Sequence, residues 1–263
     1  MLRVFIVNVF LTFAPVFADY LHIIPVIPND VAIVANGGRP DAPVKVEFFM
    51  DLACPDSQRN FIEMTRAIGK FSPQQVRVEL YQFMLPWHRN AFVAAKGLYY
   101  VQEVKPEKTI DYIKKVFETI PEFSTRATQD KTEFQIVRAL AKNAASVTGL
   151  DEESLYKNIT SNHYKQKIVY CSKLGYQRGA KGTPWIFVNG AETILGPMEN
   201  FFITSDRWTA MINDILRISA KNELVAYGFQ QAACEANASQ RSGKFSVALM
   251  IICTTLYGFV SKL

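Results

Sequence analysis

Seven positions, VKVEFFM at 44–50, form an apolar, β-branched and aromatic run that predicts a buried strand. A short turn follows, Asp51-Leu52-Ala53, and after Cys54-Pro55-Asp56-Ser57 the spacing of apolar residues predicts a helix over 58–68. Phe71-Ser72-Pro73 ends it. VRVELYQFM at 76–84 alternates and predicts a second strand. Strand, helix, strand at this spacing is a βαβ unit with parallel pairing. Residues 91–180 then read as helical throughout. One helix covers 91–102, another opens at Pro106 and runs to 119, and a third opens at Asp130 and runs to 145. In that third helix Phe134, Val137, Leu140 and Ala141 share one face. Asp151-Glu152-Glu153 opens a further helical stretch that continues in pieces to 173. Trp185-Ile186-Phe187-Val188 is strand-like, and Asn189-Gly190 predicts a hairpin with Thr193-Ile194-Leu195 returning. Upstream, Val31 to Val34 reads as a short edge strand before the turn Asn36-Gly37-Gly38-Arg39-Pro40. A closing helix over 199–219 gathers Trp208, Met211, Ile212 and Ile215 on one side.

The two ends of the 263-residue chain carry other patterns. Residues 1–18 hold Arg3, an apolar run through Phe13 and a terminal Ala18, which reads as a secretory signal peptide. The apolar run is shorter than the ~20 residues a membrane-spanning helix needs. Phe245 to Val260 carries no charge and follows small residues at Ala236-Asn237-Ala238-Ser239. This fits a lipid-anchor signal that is removed, or a short membrane-spanning tail, and either attaches the protein to a membrane. The expected organisation is a signal at 1–18, a strand and turn region at 19–40, one domain at 41–225 with a helical insertion at about 91–180, a linker at 226–244 and the apolar tail at 245–263. No linker of Gly, Pro or Ser separates the insertion at either end. The expected location is the secretory pathway: outside the cell, attached to its membrane, or in the ER lumen.

Charge and cysteine content narrow the chemistry. The chain is +5, and the two end segments remove Arg3, Arg241, Lys244 and Lys262 without any acid, which leaves +1. A domain of that charge gives no support to nucleic-acid binding. No metal site is expected. Asn158-Ile159-Thr160 and Asn237-Ala238-Ser239 are glycosylation sequons. There are four cysteines, of which Cys253 falls in the apolar tail. Pairing Cys171 with Cys234 would leave Cys54 free in an oxidising compartment. Cys54 itself precedes a helix whose first position suits Pro55. There the unpaired N–H groups and the positive end of the helix dipole favour a thiolate. Asp56 opposes this, because a carboxylate beside the thiol disfavours the thiolate.

Phe48-Phe49-Met50-Asp51 followed by Cys54-Pro55 resembles the active-site segment of DsbA-like proteins in the thioredoxin superfamily, with Ser57 where the family carries a second cysteine. Two further stretches are similar to the family. Leu85-Pro86-Trp87-His88 leads into an Ala-rich helix, and Gly182-Thr183-Pro184 precedes a strand. The resemblance implies an α/β, thioredoxin-like fold with a mixed central sheet and an inserted all-helical subdomain. It implies a cis proline at Pro184 facing Cys54. Catalysis would rest on Cys54, Ser57 and Pro184, and Pro55, Asp56, Thr183, Trp185 and His88 would bind substrate. His88 either faces the thiol or hydrogen-bonds its own turn. Without a resolving thiol, net dithiol oxidation within the motif is excluded. Three functions follow: monothiol exchange through Cys54 with protein thiols, protein disulfides or glutathione; a redox-inactive fold that binds or chaperones protein substrates; and a glutathione-dependent transferase or isomerase of the kappa type. No cofactor is implied, and glutathione enters only as a co-substrate. A buried Cys54, or one bonded to Cys171 or Cys234, would sink the first.

Overall fold

The computed structural model describes residues 31–193 and 202–221. Strand β1 (Ile33–Val34) is followed by β2 (Val44–Met50), helix α1 (Pro55–Ile68) and β3 (Val76–Gln82). The next stretch is helical: α2 (Ala91–Val104), a 3₁₀ turn (Pro106–Lys108), α3 (Thr109–Glu118), α4 (Ile120–Phe123), α5 (Glu133–Thr148), α6 (Glu152–Thr160) and α7 (Lys165–Gln177). Strands β4 (Trp185–Val188) and β5 (Ala191–Glu192) return to the sheet, and a final helix, α8, covers 205–221. The sheet order is β1-β3-β2-β4-β5. β2 and β3 are parallel, from Val44 opposite Val76 to Met50 opposite Gln82, and the other pairings are antiparallel. The mixed sheet with inserted helices is the α/β, thioredoxin-like architecture that the sequence implies.

β2 is central, and every residue along it except Lys45 is buried. Its run is almost continuously apolar because both faces are covered. On one face Phe48 meets Phe61 of α1 edge-on at 6.5 Å, and Phe61 in turn packs on Phe117 of α3. On the other face Phe49 stacks on Tyr81 at 4.7 Å and meets Phe187 edge-on. Helix α7 covers this second face so closely that a Cβ on Gly175 would lie 2.5 Å from the Phe83 ring. Glu47, also on that face, pairs with Arg178 at 2.5 Å, and the guanidinium lies 3.7 Å over the Phe187 ring.

Asparagine side chains extend two of the strand pairings, β1–β3 and β2–β4. Beyond the short β1, Asn36 donates Nδ2–H to Val76 O and accepts from Val78 N at Oδ1, so its amide continues the ladder along β3. At the hairpin, Asn189 accepts from Lys45 N and donates to Pro43 O. Its positive φ of 50° is one that asparagine tolerates.

Several sequence expectations shift. The helix expected to open at Asp130 starts at Glu133, because Thr132 and Gln135 form a capping box there, and it runs to Thr148, where Gly149 takes a left-handed conformation. Phe134 is not core. It is 57% exposed on the first turn and rests against Tyr156 and Arg138. On α8, Trp208 and Ile212 are buried while Met211 and Ile215 are half-buried. The expected signal and tail, Cys234, Asn237, Ile194 and Leu195 lie outside the described residues.

Candidate active site

The site is built where β2 ends and α1 begins. Cys54 occupies the N-cap of α1 with extended backbone, and its carbonyl takes the first helical bond, from Gln58 N at 3.1 Å. Pro55 follows at the first helical position, where no N–H is needed, and is exposed. The Cys54 thiol donates to Thr183 O at 3.3 Å. The Thr183–Pro184 peptide bond is cis. The third segment of the motif thus faces the first across the site. Cys54 is unbonded to any other cysteine among the described residues, yet only 4% exposed. This burial is the condition named above against exchange, and only the residual exposure leaves the thiol open to it.

Ser57, at the position of the family's second cysteine, is fully buried one turn into α1, and its Oγ accepts from Asp51 N at 3.3 Å. Asp56, expected to oppose the thiolate, makes an ion pair elsewhere. Its carboxylate turns to Arg59 at 2.5 Å, in a largely exposed pair one turn along the helix. Trp185 stands opposite Phe49 in the register, on the sheet face that α7 covers rather than the face of α1. Its Nε1 and the Thr183 hydroxyl are both buried without a hydrogen-bond partner among the described residues.

His88 donates from Nδ1 to Asp51 Oδ2 at 2.9 Å, with its side chain 17% exposed. In the sequence Asp51 stands only as the end of a motif and the start of a turn. It is fully buried, and its Oδ1 also accepts from Ala53 N at 2.7 Å. An aspartate directly after a strand and two residues before a turn N–H is the signal that could have found it, since such a side chain bonds its own backbone two residues on.

Cys171, a candidate partner for Cys234, is unbonded among the described residues, which do not include Cys234. It is a fully buried thiol on α7, with Tyr99 Oη at 3.1 Å and Val31 O at 3.3 Å. Burial pushes this thiol up from its ordinary value, against the pull of the Tyr99 hydrogen bond. Asn158 lies within α6, where its Nδ2 donates to Ser154 O. Among the described residues no cluster of His, Cys, Asp and Glu could hold a metal, and no helix is long and apolar enough to cross a membrane. A cavity of about 320 Å³ between β3, α1 and α3, with Lys114 beside it, shares no residue with the Cys54 site.

Comparison with known proteins agrees with this fold. No curated protein matches the chain. Among solved structures, oxidised BdbD from Bacillus subtilis is 23% identical, covers 72% of this chain and 95% of its own, and superposes with a TM-score of 0.58. DsbA from Chlamydia trachomatis is 19% identical over 75% and 95% of the two chains, with a TM-score of 0.55. MdbA, a thiol-disulfide oxidoreductase from Corynebacterium diphtheriae, is 17% identical over 71% and 90%, with a TM-score of 0.53. These likenesses are of fold. The sequence profile of the DSBA-like thioredoxin domain matches residues 45–211, most of the chain, and the protein therefore belongs to that family.

Proposed function

We propose that this protein exchanges disulfides through Cys54 as a monothiol. The observation that carries the reading is the thiol itself: unpaired, at the N-cap of α1, and pointed at the carbonyl before Pro184. In exchange, the Cys54 thiolate attacks one sulfur of a substrate disulfide. That S–S bond breaks, a mixed disulfide with Cys54 forms, and the departing thiolate takes a proton. Ser57 has no sulfur with which to resolve the product, so an outside thiol completes the cycle. Glutathione or a protein thiol would serve. The 4% exposure of Cys54 limits the substrate to a small disulfide or an extended segment rather than a folded surface. A secretory or extracytoplasmic setting, with the tail at 245–263 holding the protein to a membrane, suits this chemistry because disulfides persist there.

The same burial favours a second reading, in which the fold binds protein substrates and Cys54 takes no part. Incubation with oxidised glutathione separates the two. Exchange requires one glutathione on the peptide that carries Cys54, released by dithiothreitol. A chain that stays unmodified there while folded belongs to the second reading. The glutathione-transferase reading would need turnover of an electrophile with reduced glutathione, which the same preparation can be assayed for.

A further inference from the structure

Asp51 makes more bonds than a turn requires. Its backbone carbonyl accepts from Cys54 N at 3.1 Å, and its backbone N–H goes to Ser57 Oγ at 3.3 Å. One carboxylate oxygen accepts from Ala53 N at 2.7 Å. The other accepts from Leu85 N at 2.8 Å and from His88 Nδ1 at 2.9 Å. A buried carboxylate is costly unless donors surround it, and here three do. The bond to Ala53 alone would shape the turn. The other two reach 34 and 37 residues along the chain, to the loop after β3. That loop carries Trp87, 62% exposed, beside His88. The turn that presents the thiol and the loop that bears an exposed indole are therefore fixed to each other through one side chain.

We propose that Asp51 is a positioning residue for disulfide exchange at Cys54, and that His88 acts through it by donating its Nδ1–H. The proposal rests on the exchange reading above. Attack on a disulfide runs along the S–S axis, so the rate depends on the direction from which the substrate meets Sγ. Alkylation of the same thiol by a small reagent makes a weaker directional demand.

The test uses the full chain, with oxidised glutathione and iodoacetamide as the two probes of Cys54. Asp51→Asn keeps the shape but replaces an acceptor oxygen with a donor. His88→Phe keeps the ring and removes the donor. His88→Asn places a neutral N–H near the position of Nδ1. Asp51→Asn and His88→Phe are expected to slow mixed-disulfide formation about tenfold, with alkylation changed much less. His88→Asn is expected to recover most of what His88→Phe loses. If disulfide exchange and alkylation fall together, or if His88→Asn does no better than His88→Phe, the positioning role is overturned. Should Asp51→Asn fail to fold, the two His88 variants decide the matter, since that side chain is partly exposed. If the unaltered protein takes up iodoacetamide at Cys54 but never glutathione, the exchange reading falls and takes this proposal with it. Normal exchange in every variant overturns the proposal alone.

Discussion

Cys54 and Cys171 are both buried thiols with protein acceptors, and they sit in opposite circumstances. Cys54 caps a helix, next to N–H groups that no carbonyl of the same helix can satisfy. Cys171 lies in the middle of α7, where every nearby N–H is already bonded into the helix, and it is entirely enclosed. Burial pushes the Cys171 thiol up, so it stays protonated and behaves as a small apolar group. Low exposure is thus not a measure of chemical role. What separates the two is the helix terminus, supplied at Cys54 by a strand that ends just before it.

The sharpest way to use that contrast is to complete the motif. Ser57→Cys is expected to turn the site into a dithiol that closes in air to a disulfide between Cys54 and the introduced thiol, because Ser57 already occupies the buried first turn of α1. Mass spectrometry after alkylation reads the bond directly. A variant that stays fully reduced would mean that α1 does not hold the two positions for exchange.

Next in size is the difference in labelling between the two native thiols. Cys171 is expected to react with a thiol reagent at least about a hundredfold more slowly than Cys54, since it must wait for the structure to open. Its raised pKa also bears on stability. The folded state keeps Cys171 neutral while the unfolded chain ionises, so its contribution is intact below the ordinary value of 9.0 and declines as pH rises from there toward the folded value. Denaturant titrations on the unaltered protein and on Cys171→Val should therefore diverge above that pH. Parallel curves would contradict the assignment.

A smaller effect is expected one turn further along α7. Gly175→Ala drives a methyl into the Phe83 ring and should cost about 1–3 kcal/mol of stability, with Cys54 labelling in the folded protein unchanged. The smallest is at Asp56. Because its charge is spent on an exposed pair with Arg59, Asp56→Asn should alter Cys54 alkylation less than about twofold. A large acceleration would restore the view that this carboxylate restrains the thiol.

Elements with strong local signals are legible in the sequence. β2 falls where its pattern places it, to the residue, because both of its faces are buried and its apolar run has abrupt ends. The start of α5 does not, because Thr132, the true cap, lies two residues after an equally plausible aspartate. Phe134 reads as core because periodicity reports a face but not where that face ends. In the site, Cys54, Ser57 and Pro184 are marked by short motifs. Asp51 lies in the same motif, but its bonds to Leu85 and His88 are not announced there, since no local pattern reports a contact across that distance. Counting cysteines offers Cys171 a candidate partner but says nothing of Tyr99 and Val31, which reach it from other elements.

The asparagines that extend the strand pairings have a consequence for the protein's shelf life. Asn36 and Asn189 are each followed by glycine, the neighbour that least hinders the backbone nitrogen when it attacks a side-chain amide and closes a succinimide. Both amides are held by donors and acceptors on adjacent strands, which restrains the rotation that ring closure needs. The folded protein is therefore expected to age slowly at both positions, and the unfolded chain quickly. Isoaspartate analysis after incubation with and without denaturant would show it. The change also feeds itself: an aspartate at either place would set a negative oxygen against Val76 O or Pro43 O, prise open the strand pairing it once extended, and expose what remains to the same chemistry.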